Sequence, residues 1–130
     1  MPTALIVDDE VNANDLLARI VKLRGYTTRS EFTGETAIEA VESQPFDVVF
    51  LDLMLPDIDG YEVCRRIKAS PETRTTPVVM VSAALADDNR ARGIQAGADG
   101  YIPKPYTPNQ IFDALESADA MRRAWEEDGE

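Results

Sequence analysis

Histidine is absent from this chain of 130 residues, and cysteine occurs once. Without histidine the chain cannot carry out Ser-His or Cys-His catalysis, ligate zinc through imidazole, or form a phosphohistidine intermediate. The single Cys64 cannot form an internal disulfide, which favours a reducing, cytoplasmic compartment. No apolar run approaches the roughly 20 residues that cross a bilayer, and the opening MPTALIVDDE lacks a basic segment. We therefore expect neither a membrane span nor a signal peptide.

Positive charge is also scarce, since 13 lysines and arginines stand against 24 aspartates and glutamates. The formal net charge of -11 makes the surface repel phosphate backbones, so we expect no direct binding to nucleic acid. Solubility explains such acidity, and attraction to a basic surface on a partner is the alternative interpretation. The length suits one domain with a core of its own.

Short apolar segments alternate with helical patterns along the chain. The predicted strands cover residues 4–7, 26–29, 47–51, 78–81 and 101–102. Five such β-α repeats predict an α/β fold, because parallel strands need helical crossovers that cover both faces of a sheet. The expected architecture is a doubly wound (βα)5 parallel sheet, flavodoxin-like, with strand order 2-1-3-4-5. We expect the domain at residues 1–122 and a helical extension with an acidic tail at residues 123–130.

Apolar spacing predicts which side of each helix faces the sheet. Helix four has the least apolar pattern of the predicted helices, and it starts with mainly polar residues at 87–92. We expect Trp125 to pack back onto the domain, and a helix leading to a partner is the alternative. The predicted inward side chains of helices one, three, four and five are Ala13, Leu16, Leu17, Ile20 and Leu23; Val63, Cys64 and Ile67; Ala91, Ile94 and Ala98; and Ile111, Ala114, Leu115, Ala118, Met121 and Trp125.

Polar side chains follow four of the predicted strands. Asp8 and Asp9 follow the first strand, Asp52 the third, Ser82 the fourth and Lys104 the fifth. Because the carboxyl ends of parallel strands meet at one edge, these groups should lie close together where open α/β sheets place their sites. Three crowded carboxylates repel one another unless a cation joins them, and oxygen ligands favour a hard cation such as Mg²⁺.

Each of these residues has an ordinary explanation when it is taken alone. Asp9 could cap the first helix, Asp52 and Ser82 could form turns, and Lys104 could be a solvated surface lysine. The joint occurrence at four strand ends is much harder to explain in this way. The chemistry that fits is phosphoryl transfer to an aspartate, with Mg²⁺ and Lys104 as cations and the Ser82 hydroxyl as a donor to a phosphoryl oxygen.

Four motifs spread over residues 4–120 resemble the receiver domain of two-component response regulators. They are VDDE at 7–10, VVFLDLMLPDIDGYEVCRRIK at 48–68, VVMVSA at 78–83 and ADGYIPKP at 98–105. The resemblance implies a signalling module that accepts a phosphoryl group on Asp52 from a histidine kinase or a histidine phosphotransfer protein. It implies no enzyme in the usual sense, because the module catalyses only its own phosphorylation and dephosphorylation.

The resemblance also implies roles for individual residues. Asp9 would bind Mg²⁺ directly, Asp8 largely through water, and the Met54 backbone carbonyl would be a further ligand. Lys104 would contact the acyl phosphate and precede Pro105 through a cis peptide bond. Ser82 and Tyr101 would form the switch pair that changes the surface of helix four, strand five and helix five. That surface would contact a downstream protein or a second copy of the chain.

Three alternatives remain beside this interpretation. A phosphatase using an aspartyl phosphate needs a second acid two residues beyond its nucleophile, and position 54 is methionine. A flavodoxin-like cofactor site needs a loop that offers N–H groups to phosphate, whereas Asp8, Asp9 and Glu10 would repel it. A receiver used only for binding would not need the complete set of acidic and basic site residues.

Overall fold

The computed structural model describes the backbone of residues 1–83 and 87–128, and the side chains of residues 1–83 and 91–127. Strands and helices alternate from one end to the other. The strands are β1 (Thr3–Val7), β2 (Thr27–Glu31), β3 (Val48–Leu51), β4 (Val78–Ser82) and β5 (Gly100–Pro103). The helices are α1 (Val11–Lys22), α2 (Gly34–Ser43), α3 (Gly60–Ala69), α4 (Asp87–Gln95) and α5 (Pro108–Asp128).

All described strands pair in parallel and form one sheet in the order β2-β1-β3-β4-β5. This order confirms the predicted topology. The central strand β3 is buried along its whole length, as expected for a strand covered on both faces. The polar strand β2 lies at an edge, which also agrees with the sequence.

Successive side chains of each strand point to opposite faces, so the sheet separates two hydrophobic layers. Ile6 and Phe50 face the layer that contains α1 and α5. Leu5 and Val49 face the layer that contains α2 and α3. In the second layer, Val63, Cys64 and Ile67 of α3 are buried, which confirms the predicted inward face of that helix.

The predicted inward face of α1 is partly wrong. Leu16 and Leu23 are 54% and 73% exposed. The helix is rotated because Asn14, a polar residue, points inward to hydrogen-bond with the strand ends. The buried residues of α1 are Asn14, Leu17, Ala18, Ile20 and Val21.

The predicted inward face of α4 is wrong for two of its three residues. Ile94 is 67% exposed and Ala91 is exposed, whereas Ala98, beyond the end of the helix, is partly buried and packs against the second hydrophobic layer. Among the side chains of residues 91–95, the buried position is Gly93, where an added Cβ would lie 3.0 Å from Met80 Sδ. The helix therefore approaches the sheet through a glycine and not through apolar side chains. The predicted polar positions 87–90 lie outside the described side chains.

Helix α5 buries Ile111, Leu115 and Ala118 and half-buries Ala114, Met121 and Trp125, in agreement with the predicted stripe. Its far end is attached to the domain. Arg122 Nη1 donates to Asp47 Oδ1 at 3.0 Å, and Lys68 Nζ lies 5.2 Å from the centroid of the Trp125 ring. Trp125 thus packs back onto the domain, as expected.

Within the described ranges, no helix has the length and apolar character needed to cross a bilayer.

Candidate functional site

Asp8, Asp52 and Lys104 meet at the carboxyl edge of the sheet. Asp8 follows β1 and Asp52 follows β3, and both residues are almost completely buried at 5% and 7% exposure. Lys104 follows β5 and reaches across the edge between them. Its Nζ lies 2.7 Å from Asp8 Oδ2 and 3.0 Å from Asp52 Oδ2. The structure therefore brings together three of the residues that the sequence places at strand ends.

The other oxygen of each carboxylate is held by the backbone. Asp8 Oδ1 accepts from the Glu10 N–H at 3.0 Å, and Asp52 Oδ1 accepts from the Met54 N–H at 2.9 Å. Lysine and amide donors thus fix both carboxylates in direction. Asp52 is also anchored through its own N–H, which donates to the Val7 carbonyl at 2.9 Å.

The charges of Asp8 and Lys104 depend on each other. Burial raises the pKa of the Asp8 carboxyl, and the nearby charge of Asp52 adds to this effect. The hydrogen bonds from Lys104 and from the Glu10 N–H oppose the rise only in part. Burial alone would lower the pKa of Lys104, but its hydrogen bonds to Asp8 and Asp52 and the attraction of their negative charges together outweigh burial and raise that pKa. Lys104 therefore stays charged as the counterion of two buried carboxyl groups.

Asp9 differs from its neighbour Asp8, because its side chain is exposed. In the part of the chain that the structure describes, no group of three acidic or cysteine side chains is close enough to hold a metal ion. The two buried carboxylates share Lys104, while Asp9 lies on the solvent side of this arrangement.

Ser82 and Tyr101 lie on the two strands next to the site. Ser82 ends β4 and is completely buried, and its carbonyl accepts from the Lys104 N–H at 3.0 Å. Tyr101 lies on β5, pairs with Met80 and is half-buried. The peptide bond between Lys104 and Pro105 is cis, as the resemblance implies.

The segment after Asp52 is held tightly against the site. The Gly60 N–H at the start of α3 donates to the Leu53 carbonyl at 3.1 Å. A Cβ at Gly60 would lie only 2.6 Å from the Asp52 carbonyl oxygen, so only glycine fits this approach. Asp59 caps α3 by accepting from the Glu62 N–H at 2.9 Å.

Sequence reasoning missed Asp57 and Asn14. Asp57 accepts from the N–H groups of Gly34 and Glu35 at 2.8 and 2.9 Å, so it caps α2 from a distant loop. Burial alone would raise the pKa of Asp57, but these hydrogen bonds, together with those from the N–H groups of Ile58 and Asp57 itself, outweigh it and lower the pKa. The polar Asn14 inside an amphipathic helix was the one signal available, since asparagine seldom occupies such a position without a hydrogen-bonding role.

Residues 4–116 match the family model of the response regulator receiver domain. Among curated proteins, the transcriptional regulatory protein TcrA of Mycobacterium tuberculosis is 40% identical over 111 residues, which are 85% of this chain and 43% of TcrA. The chain spans about half the length of the curated relatives it matches.

Two solved structures share the fold closely. A CheY-like response regulator receiver domain protein from Methanospirillum hungatei has a TM-score of 0.88 at 26% identity, covering 95% of this chain and 98% of that one. The receiver domain of DrrB, solved in a form activated with BeF3, has a TM-score of 0.81 at 32% identity, covering 91% of this chain and 97% of that one.

Proposed function

The chain belongs to the response regulator receiver domain family of two-component systems, and we propose that it accepts a phosphoryl group on Asp52. The donor is a histidine kinase or a histidine phosphotransfer protein. The observation that carries this proposal is the buried Asp52 carboxylate, with one oxygen 3.0 Å from Lys104 Nζ and the other 2.9 Å from the Met54 N–H. A carboxylate fixed in this way is a preorganised nucleophile beside a cation.

The proposed reaction transfers one phosphoryl group between two nucleophiles. An Asp52 oxygen forms a bond to phosphorus while the bond from phosphorus to the donor's imidazole nitrogen breaks, and that nitrogen then takes up a proton. Lys104 pairs with the phosphoryl oxygens, and the buried Ser82 hydroxyl donates to another of them. Charge spread over these oxygens is what positioned cations and donors stabilise in phosphoryl transfer.

The residues at this edge fit Mg²⁺. Their donors are all oxygen atoms, from Asp8, Asp9, Asp52 and the Met54 carbonyl, and such donors suit a hard cation. Two of the carboxylates are already buried side by side, and Lys104 supplies a single positive charge against three negative charges. When bound, Mg²⁺ would neutralise the phosphoryl oxygens. The exposed Asp9 would have to join the two buried carboxylates for this set to be complete.

The consequence of phosphorylation would be a changed surface. In this proposal Ser82 moves toward the phosphoryl group, Tyr101 turns inward, and the surface of α4, β5 and α5 changes its affinity for a downstream protein or a second copy of the chain. The chain catalyses only its own phosphorylation and dephosphorylation and works in the cytoplasm. The position of Gly93 beside the side chains of Met80 and Tyr101 supports this route, because an added Cβ there would contact both of them.

The test is intact mass measurement after incubation with Mg²⁺ and a small phosphoryl donor such as acetyl phosphate. We expect one phosphoryl group per chain, stable in acid and labile in base, and none when the metal is chelated. The matched control is Asp52→Asn, which keeps the size of the side chain and removes the nucleophile. An adduct that persists in Asp52→Asn would refute the assignment, and so would a lack of labelling in the unmodified protein.

A further inference from the structure

We propose that Asn14 is a positioning residue for the phosphorylation site. Its carboxamide joins the carbonyl ends of β1 and β2 and so fixes the direction in which Asp8 faces Asp52 and Lys104. This inference rests on the proposed function, because it assigns a role in that reaction to a residue that touches none of the reacting atoms.

The first argument is the position of the Asn14 side chain. Asn14 lies in the first turn of α1 and is 1% exposed. Its Nδ2 lies 3.1 Å from the Asp8 carbonyl oxygen, 3.1 Å from that of Glu31 and 3.3 Å from that of Ile6. Three carbonyl acceptors around one atom require the amino group there, so the orientation of the carboxamide follows from its neighbours. One side chain thus links a helix to two strand ends.

The second argument is what these hydrogen bonds do to Asp8. The Asp8 N–H donates to the Glu31 carbonyl at 3.2 Å, the same oxygen that Asn14 contacts. The Asp8 carbonyl is held by Asn14 on its other side. The backbone that carries the Asp8 carboxylate is therefore held on both sides of its Cα, while the Glu10 N–H and Lys104 bind the carboxylate itself.

The third argument concerns the remaining atom of the carboxamide. Asn14 Oδ1 is buried and accepts no hydrogen bond from the described protein groups. A buried acceptor without a protein partner is unfavourable and calls for a reason. The neighbouring buried positions Leu17, Ala18 and Val21 are apolar, so packing alone would favour an apolar residue at position 14 as well. The reason we infer is the need for Nδ2 at the strand ends.

The experiment compares three variants by phosphorylation rate, by the Mg²⁺ concentration that gives half the maximal rate, and by thermal stability. Asn14→Leu removes the donor and keeps a side chain that branches at Cγ, with a larger volume. Asn14→Ser keeps a single donor. Val21→Ala is the matched control, since it destabilises the buried face of the same helix away from the site. All variants are assayed at the same interval below their melting temperatures.

We expect Asn14→Leu to lose about tenfold or more in phosphorylation rate and to need more Mg²⁺, as removal of groups that orient ligands commonly does. Asn14→Ser should fall between this variant and the unmodified protein, while Val21→Ala should keep both the rate and the Mg²⁺ requirement. If the unmodified protein is labelled on Asp52 and Asn14→Leu behaves like Val21→Ala, the positioning role is wrong and the proposed function stands. If the unmodified protein is not labelled, the proposed function fails.

A measurement on the unmodified protein covers the case in which Asn14→Leu does not fold. The side-chain amide resonance of Asn14 should shift during a Mg²⁺ titration, because its acceptor, the Asp8 carbonyl, belongs to a residue of the site. The side-chain amide of Gln44, whose oxygen accepts a hydrogen bond from Arg29 in the middle of β2, serves as the internal control. An Asn14 resonance that stays in place while Mg²⁺ supports labelling would overturn the proposal. Where Asn14→Leu does not fold, the rate comparison is made between Asn14→Ser and Val21→Ala.

Discussion

Helices α3 and α4 are consecutive helices, and they follow the neighbouring strands β3 and β4. They nevertheless pack against the sheet very differently. Helix α3 buries Val63 and Cys64 completely and leaves Ile67 only 2% exposed. Helix α4, among its described side chains at residues 91–95, buries a glycine and leaves Ile94 67% exposed. Burial of apolar surface stabilises a helix by about 25 cal/mol per Å². Burial therefore contributes much of the stability of α3 and little through the described side chains of α4, residues 91–95.

This difference in packing suits the two requirements of the proposed function, a rigid site and a surface that can move. Helix α3 begins at Gly60, directly against the backbone of Asp52, so its firm packing fixes the proposed phosphoacceptor. Helix α4 touches Met80 and Tyr101 through Gly93 and contacts Tyr61 through Arg92. An element with few buried contacts opens or shifts at low cost in free energy. A chemical event at a rigid site can therefore bias the position of a loosely held helix.

The largest expected effect comes from truncating the same residue type in the two helices. Ile67→Ala should destabilise the protein by about 2–5 kcal/mol, because it leaves a cavity under α3. Ile94→Ala removes a side chain that is mostly in solvent and should change stability by less than about 0.5 kcal/mol. Urea unfolding followed by circular dichroism measures both. Similar losses in the two variants would mean that α4 is packed as firmly as α3.

The next effect comes from adding a methyl group to the glycine at each contact. In Gly60→Ala the Cβ would lie 2.6 Å from the Asp52 carbonyl oxygen, and this backbone atom has little freedom to move. We expect a loss of about 1–3 kcal/mol and slower phosphorylation of Asp52. In Gly93→Ala the Cβ meets the flexible Met80 side chain at 3.0 Å, and alanine is a better helix former by about 1 kcal/mol. A near-neutral change is expected there, and a larger loss than for Gly60→Ala would contradict the comparison.

The sequence predicted the strands well and the helix faces less well, for physical reasons. A continuous apolar run such as Val48–Leu51 has no polar side to misplace, and the order of the sheet follows from its crossovers. Leu16 and Ile94 are apolar yet exposed, because the type of a residue does not fix the rotation of a short helix. The rotation of α1 depends on the hydrogen bonds of Asn14, and that of α4 depends on the close approach at Gly93. Both contacts are made with the sheet, so the sequence of the helix alone does not reveal them.

Some residues of the candidate site could likewise be predicted from the sequence, and others could not. Asp8, Asp52 and Lys104 could be predicted to meet, because the ends of parallel strands define an edge before any side chain is placed. Asp57 and Asn14 could not be assigned, because their partners lie on other elements. Asp57 caps a helix that begins 23 residues earlier in the chain. Such contacts exist only once the layers have packed, and a pattern along the sequence does not contain them.

A third effect tests the burial of α3 through its thiol. Burial raises the pKa of Cys64 to about 12, above its usual 9.0. The unfolded chain therefore loses this proton first, and the contribution to stability falls as pH rises from about 9 toward 12. At about pH 10 the loss should be roughly 1 kcal/mol. Denaturation across this range should be less dependent on pH in Cys64→Ala than in the unmodified protein, after allowance for tyrosine ionisation common to both. Parallel pH profiles would mean that α3 admits water.

The smallest effect concerns the cation–π pair that joins the two helices. The Arg92 guanidinium of α4 lies 4.1 Å from the centroid of the Tyr61 ring, in the first turn of α3. A cation–π interaction at a partly exposed site contributes about 0.5–1 kcal/mol. Arg92→Leu should therefore change global stability little. It should speed amide exchange in α4 by about two- to fivefold, because removing the interaction lowers the free energy of local opening of this helix by about 0.5–1 kcal/mol. Hydrogen exchange followed by mass spectrometry resolves α4 from α3.

The control for this change is Arg66→Leu, which removes an arginine of α3 that pairs with Glu62 on the surface. Such exposed pairs contribute about 0.2–1 kcal/mol, similar to the cation–π interaction that Arg92→Leu removes, but Arg66 has no described interaction with α4. The two variants thus match in chemistry and in the expected size of their effect on stability, and they differ in the helix whose contact is removed.

Faster exchange of α4 in Arg92→Leu alone would show that Tyr61 restrains that helix. Equal exchange of α4 in both variants would leave Gly93 as its main attachment. Exchange that speeds up equally in α3 and α4 would show that the two helices open together, and the contrast between a fixed and a movable helix would be wrong.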